Sequence, residues 1–237
     1  MKTKIFISII ILFSLFSIVW YGQNIKYTSY PTFNSLLLMN SSAYGYNSLM
    51  CFSLFFTVPF LLFLDHTSTP ENSFTVTRWL KREKLYNSLF KQLVTSSLLF
   101  TCVHAVVNIV FTSVYFDWEL LNEVNFFLIS FLNMIGLFFF YVWIGLIYRL
   151  IYDLSLSLGF SIFITYLIIA ILFFMEKLYI PMGIWDPFKD LVIFISFLEH
   201  RWTLADIGFV YMRQLVLVFV LYMFGSAMFL RKDIIDK

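Results

Sequence analysis

The chain has 237 residues, 61% hydrophobic and only 13% charged, with 31 Phe. Soluble domains carry roughly 25% charged residues, so this composition excludes an ordinary water-soluble protein. The net charge of +2 is too small to suggest a polyanionic partner, and no nucleic acid is expected.

Six apolar runs follow one another, at about 5–21, 43–64, 92–116, 124–148, 156–175 and 208–230. Each approaches the roughly 20 residues that cross about 30 Å of hydrocarbon, and none alternates as a barrel strand would. The predicted fold is therefore all-α: a polytopic membrane protein forming one transmembrane domain over residues 1–237. The first run follows Met1-Lys2-Thr3-Lys4 but lacks a small-residue cleavage site near Trp20-Tyr21-Gly22-Gln23, and reads as an uncleaved span. The loop at about 22–42 is polar and tyrosine-rich, with an apolar patch at Leu36–Met39.

Between the second and third runs, Phe74–Leu93 forms a basic amphipathic segment. At 100° per residue Trp79, Tyr86, Phe90 and Leu93 share one face, and Lys81, Lys84, Ser88 and Lys91 the other. Such a helix is expected to lie on the bilayer surface, where each basic residue gains about 1 kcal/mol against anionic lipid. Thr69-Pro70-Glu71 is a plausible helix start, from which the chain would run into the third span after a bend. Between the fifth and sixth runs, Leu191–Leu198 is apolar but too short to span, and is expected to be re-entrant or interfacial.

Charge sets the expected orientation. With both termini on one side, that side holds eleven basic residues: Lys2, Lys4, Arg78, Lys81, Arg82, Lys84, Lys91, Arg149, Arg231, Lys232 and Lys237. The other holds five: Lys26, Lys177, Lys189, Arg201 and Arg213. Cytoplasmic loops carry the excess, so a multi-pass cell-membrane protein with both termini in the cytoplasm is expected.

Chemistry-bearing residues are few. His104 and Asn108 lie one turn apart in the third run and Asn133 lies within the fourth; together they could line a cargo pathway, or each could bond across a helix interface. Ions and acids are expected to avoid the span interiors. Gly159-Phe160-Ser161 lacks the following glycine of an intramembrane serine protease and reads as helix packing. The histidines have no carboxylate partners at ligand spacing, so no metal site is expected. Cys51 and Cys102 read as packing residues. There is no G-x-x-x-x-G-K-[ST] loop, so the chain is not expected to be an enzyme or to hold a cofactor; any ATP would be hydrolysed by a separate subunit.

Six spans, the segment Thr77-Arg78-Trp79-Leu80-Lys81-Arg82-Glu83-Lys84-Leu85-Tyr86, the interrupted outer loop and the basic ending Phe229–Ile234 resemble ABC-2-type exporter permease subunits. The likeness is to the small permeases of Gram-positive antimicrobial-peptide export and immunity systems. It departs at the N-terminus, where four residues leave no room for the amphipathic helix with which many such permeases begin. The resemblance implies a transport protein moving a hydrophobic or amphipathic peptide. Its partners would be an ATP-binding subunit, a second permease chain, identical or related, and the bilayer. It also implies that Trp79, Leu80, Lys81, Arg82, Glu83 and Lys84, with Arg149 and Asp153, contact the ATPase. The alternative is a non-transporting immunity, sensing or assembly subunit that recruits a partner through the basic helix.

Overall fold

The computed structural model describes residues 2–68, 82–179 and 186–231. These residues are helical and contain no strand. The helices are α1 (Lys2–Asn24), α2 (Phe33–Ser41), α3 (Thr57–Thr67), α4 (Arg82–Tyr115), α5 (Trp118–Glu123), α6 (Phe126–Ser155), α7 (Leu158–Tyr179), α8 (Ile193–Leu198) and α9 (Leu204–Arg231). Of these α1, α4, α6, α7 and α9 are long and apolar enough to cross a membrane, which makes this an all-α, membrane-embedded protein.

The expected second span, 43–64, is the one that differs. Residues 43–47 form turns, and the apolar helix there runs only over Cys51–Thr67, 17 residues. Its first turn, Cys51–Phe55, is π-helical, with the Phe56 N–H donating to the Cys51 carbonyl at 2.9 Å. Pro59 explains the irregularity. Its ring denies the Phe55 carbonyl a helical N–H partner and crowds it, and the wider turn relieves that crowding. The Phe52 carbonyl in this turn accepts from the Tyr141 hydroxyl at 3.0 Å and from the Thr57 hydroxyl at 3.4 Å.

Successive long elements reverse direction. Phe16 meets Phe100 at 5.1 Å and Trp20 stacks near Tyr115, so α1 and α4 run parallel. Thr67 meets Ser96, so α3 returns against α4. Arg82 and Leu230 are joined at the opposite ends of their helices, so α9 also opposes α4.

Helix α6 is the hub, packing against α3, α4, α7, α8 and α9. Over half of its apolar window is buried (56%), against 17% for α1 and for α9, so the latter two present their apolar sides outward. Phe209, Met212, Phe219 and Met223 of α9 are exposed in this way, as lipid-facing side chains would be. Asn125 (φ 54°) and Leu156 (φ 55°) adopt left-handed backbone at the two ends of α6, and the Leu156 N–H closes the last turn on the Tyr152 carbonyl.

The apolar stretch after α7 packs on protein. Ile193, Phe194, Ser196 and Leu198 of α8 are buried, and α8 contacts α6 and α2. Helix α2 starts on Thr32, whose hydroxyl accepts the Ser35 N–H, and carries the Leu36 and Met39 patch into that contact.

Candidate functional site

The residues proposed to meet an ATPase gather at the end of the bundle where α4, α6 and α9 converge. Trp79, Leu80 and Lys81 lie outside the described residues, as does the Thr69-Pro70-Glu71 helix start. Arg82, Glu83 and Lys84 form the first turn of α4, with Glu83 and Lys84 exposed. The Arg82 guanidinium donates to the Leu230 carbonyl at 2.9 Å, closing the terminal turn of α9 as a cationic cap does. One turn on, Leu85 and Tyr86 are buried against Phe229, and the Tyr86 hydroxyl donates to the Tyr222 carbonyl. Gly225 permits this approach, since a Cβ there would collide with the Tyr86 hydroxyl.

Arg149 and Asp153 form an i,i+4 ion pair on the last turns of α6, with N–O distances of 3.1 and 3.3 Å. A void of about 30 Å³ lined by Ser68, Tyr86, Leu89 and Arg149 marks where α3, α4 and α6 meet. Thus the described part of the first patch and the Arg149–Asp153 patch share one end of the molecule.

This packing corrects the surface-helix expectation for residues 82–93. The segment belongs to one continuous helix, Arg82–Tyr115, without the expected bend. At 1.5 Å per residue α4 measures about 51 Å, well beyond about 30 Å of hydrocarbon. Tyr86, Phe90 and Leu93 cover protein: Phe90 lies 4.7 Å from Tyr222, and Leu93 packs against Gly145. An amphipathic stripe reports an apolar neighbour without saying whether it is lipid or helix.

Of the polar residues assigned to a cargo pathway, His104 and Asn108 are enclosed by aromatic side chains. His104 stacks on Tyr46 at 4.3 Å, with Phe16, Phe52 and Phe56 each 5.5 Å away, and its carbonyl accepts the Tyr46 hydroxyl. Its Nε2 has no hydrogen-bond partner. Asn108 accepts the Trp20 indole N–H at 3.2 Å. Asn133 is buried on α6. Among the described residues nothing joins it to the other two, and none of the three lines the void beside Arg149.

Ser161 is fully buried; its hydroxyl is held by Ser155 (2.9 Å) and by the Ser157 carbonyl, a packing arrangement with no histidine in it. Among the described residues no three His, Cys, Asp or Glu side chains could hold a metal ion.

The opposite end contains a polar centre that sequence reasoning missed. Arg213 sits nine residues into α9, against the expectation that spans hold no ions, and pairs with Asp190 in a bidentate grip (2.5 and 3.3 Å). The Gln214 amide donates to Asp190 and to the Pro187 carbonyl. Together they tie the segment before α8 to α9. Nearby, burial pushes the Asp186 carboxyl above the ordinary aspartate range, opposed by the Phe188 N–H and by Lys189. The available signal was Arg213 itself, a cation inside the apolar run 208–230.

The helices define a membrane-embedded bundle with one basic, helix-capped end and one loop-rich end. The chain matches no protein-family model, no curated protein and no solved structure.

Proposed function

We propose that this chain is the permease subunit of an ATP-driven exporter, moving a hydrophobic or amphipathic peptide across or out of the membrane. In this reading there are six crossings, the short helix Cys51–Thr67 serving as the second, and both termini face the cytoplasm. The observation that carries it is the convergence of Arg82, Glu83, Lys84, Arg149 and Asp153 at one end, on helices continuous with the spans. Closure of a separate ATPase pair on this end would move α4 and α6 as rigid bodies, a differential contact of the kind needed to bias two states. A second permease chain, identical or related, would complete the pathway, and ATP would be held entirely by the partner.

Co-purification from the native membrane tests this. A soluble nucleotide-binding chain should accompany the protein and should be lost on combining Arg82→Glu with Glu83→Arg. If no such chain co-purifies, the exporter reading fails and a non-transporting recruitment module takes its place.

A further inference from the structure

Helix α4 carries its polar residues on the side turned into the bundle. At 100° per residue Ser97, Thr101, His104, Asn108 and Thr112 share an arc of about 80°. Each of the five is at most 3% exposed. From first to last they cover about 22 Å of helix, most of the ~30 Å of hydrocarbon. The opposite face is apolar and turned outward, with Val106, Val110 and Val114 exposed.

Polar side chains that serve only to hold helices together in a bilayer are paired across the interface. Asn108 is paired, with the Trp20 indole, and Thr101 bonds within α4 to the Ser97 carbonyl. Ser97 Oγ, His104 Nε2 and Thr112 Oγ1 are closed off from solvent with no hydrogen-bond partner. Three unpaired polar atoms on one buried face cost free energy that contact with water would return. The wall facing them is loosely tied. Phe16 of α1, with Phe52 and Phe56, closes on the His104 ring. Helix α1 packs chiefly on α4 and is otherwise turned outward, so shifting it sacrifices little other packing. The rest of the wall contains the π turn Cys51–Phe55, an irregularity frequent at functional sites.

We propose that the face of α4 carrying Ser97, His104 and Thr112 lines a water-accessible pathway, closed in this structure and opened when α1 and residues 51–56 part from it. Such a pathway is polar along α4 and aromatic along the opposing wall. The opening does not rest on the exporter reading; only the passage of an amphipathic peptide through it does.

The test is cysteine labelling of the full chain in permeabilised native membranes, with and without magnesium ATP, after Cys51→Ala and Cys102→Ala. The reagent is a charged methanethiosulfonate, which reacts where water reaches and not in lipid or packed protein. Ser97→Cys, Thr101→Cys and Thr112→Cys should react at least about tenfold faster than Val106→Cys and Val110→Cys in one or both conditions, because an open state populated at ~0.1–10% is far commoner than global unfolding. Thr165→Cys, fully buried on α7 where the native hydroxyl is paired, should stay as slow as the two valine positions and reports on folding. Rates at the α4 polar face no faster than at Val106 and Val110 in both conditions, or equal rates at Thr165, would overturn the proposal. Fast labelling without a co-purifying ATPase would keep the pathway and discard the exporter; a co-purifying ATPase without labelling would do the reverse.

Discussion

Arg213→Leu removes the guanidinium that grips Asp190, a carboxylate only 1% exposed to which the Gln214 amide also donates. Removing one partner of a fully buried pair costs about 3–5 kcal/mol. Arg213 is itself 45% exposed, so solvent already weakens the pair, and the expected loss is about 2–3 kcal/mol. For a chain of this size each kcal/mol lowers the melting temperature by about 2–4 °C, giving a fall of roughly 4–12 °C. The assay is tryptophan-fluorescence melting of purified protein in detergent, with size exclusion to verify a monodisperse sample. Adding Asp190→Asn removes the buried charge and keeps an acceptor for Gln214, so the double variant should regain more than half of the loss. A fall under about 1 °C for Arg213→Leu, or a double variant as unstable as the single one, would refute the argument that the pair anchors the segment before α8.

Gly145→Leu should cost more than about 3 kcal/mol or abolish folding, because even a Cβ there would lie 3.0 Å from Leu93 and 3.3 Å from Leu64; expression and monodispersity read the effect. Tyr141→Phe removes the shorter of two hydroxyl donors to the Phe52 carbonyl in the π turn and should cost about 1 kcal/mol, with faster thiol labelling of the buried Cys51 as a second readout. Asp186 has a folded pKa above its unfolded value, so its contribution to stability is complete below about pH 3.9 and declines as pH rises through the raised value. Asp186→Asn keeps an acceptor for the Phe188 N–H; its melting temperature should gain on wild type as pH climbs through that window, and parallel curves would count against a raised pKa. With Cys51 and Cys102 replaced, a cysteine at Lys84 should react with membrane-impermeant reagent only in opened cells, and one at Tyr44 in intact cells; the reverse pattern would overturn the proposed orientation.

The long helices were legible in sequence because hydrophobicity over 20 residues is a local property, and α1, α4, α6, α7 and α9 each overlap a run read as a span, with starts or ends differing by a few residues. The second run starts later in the structure than its composition suggests, because Ala43, Tyr44 and Tyr46 count as apolar while Gly45 and the Asn40–Asn47 bond hold that stretch in turns. Leu191–Leu198 was recognised as too short to cross, but its burial against α6 and α2 depends on neighbours that local sequence does not specify. The same holds for the polar groups. Arg82 with Leu230, Tyr46 with the His104 carbonyl, and Arg213 with Asp190 are separated by 148, 58 and 23 residues, and tertiary packing alone unites them. Arg149 with Asp153 was within reach because an i,i+4 spacing on a helix guarantees proximity.

Helix α4 contains neither glycine nor proline among its 34 residues, whereas the neighbouring apolar helix carries Pro59 and a π turn within a few residues of each other. Stiffness and compliance are therefore housed in adjacent elements. Under the proposed coupling, a push on Arg82 would pass along this rod to His104, whose ring packs against Phe52 and Phe56 of the irregular segment. The π turn would then be the place where the two helices yield to each other.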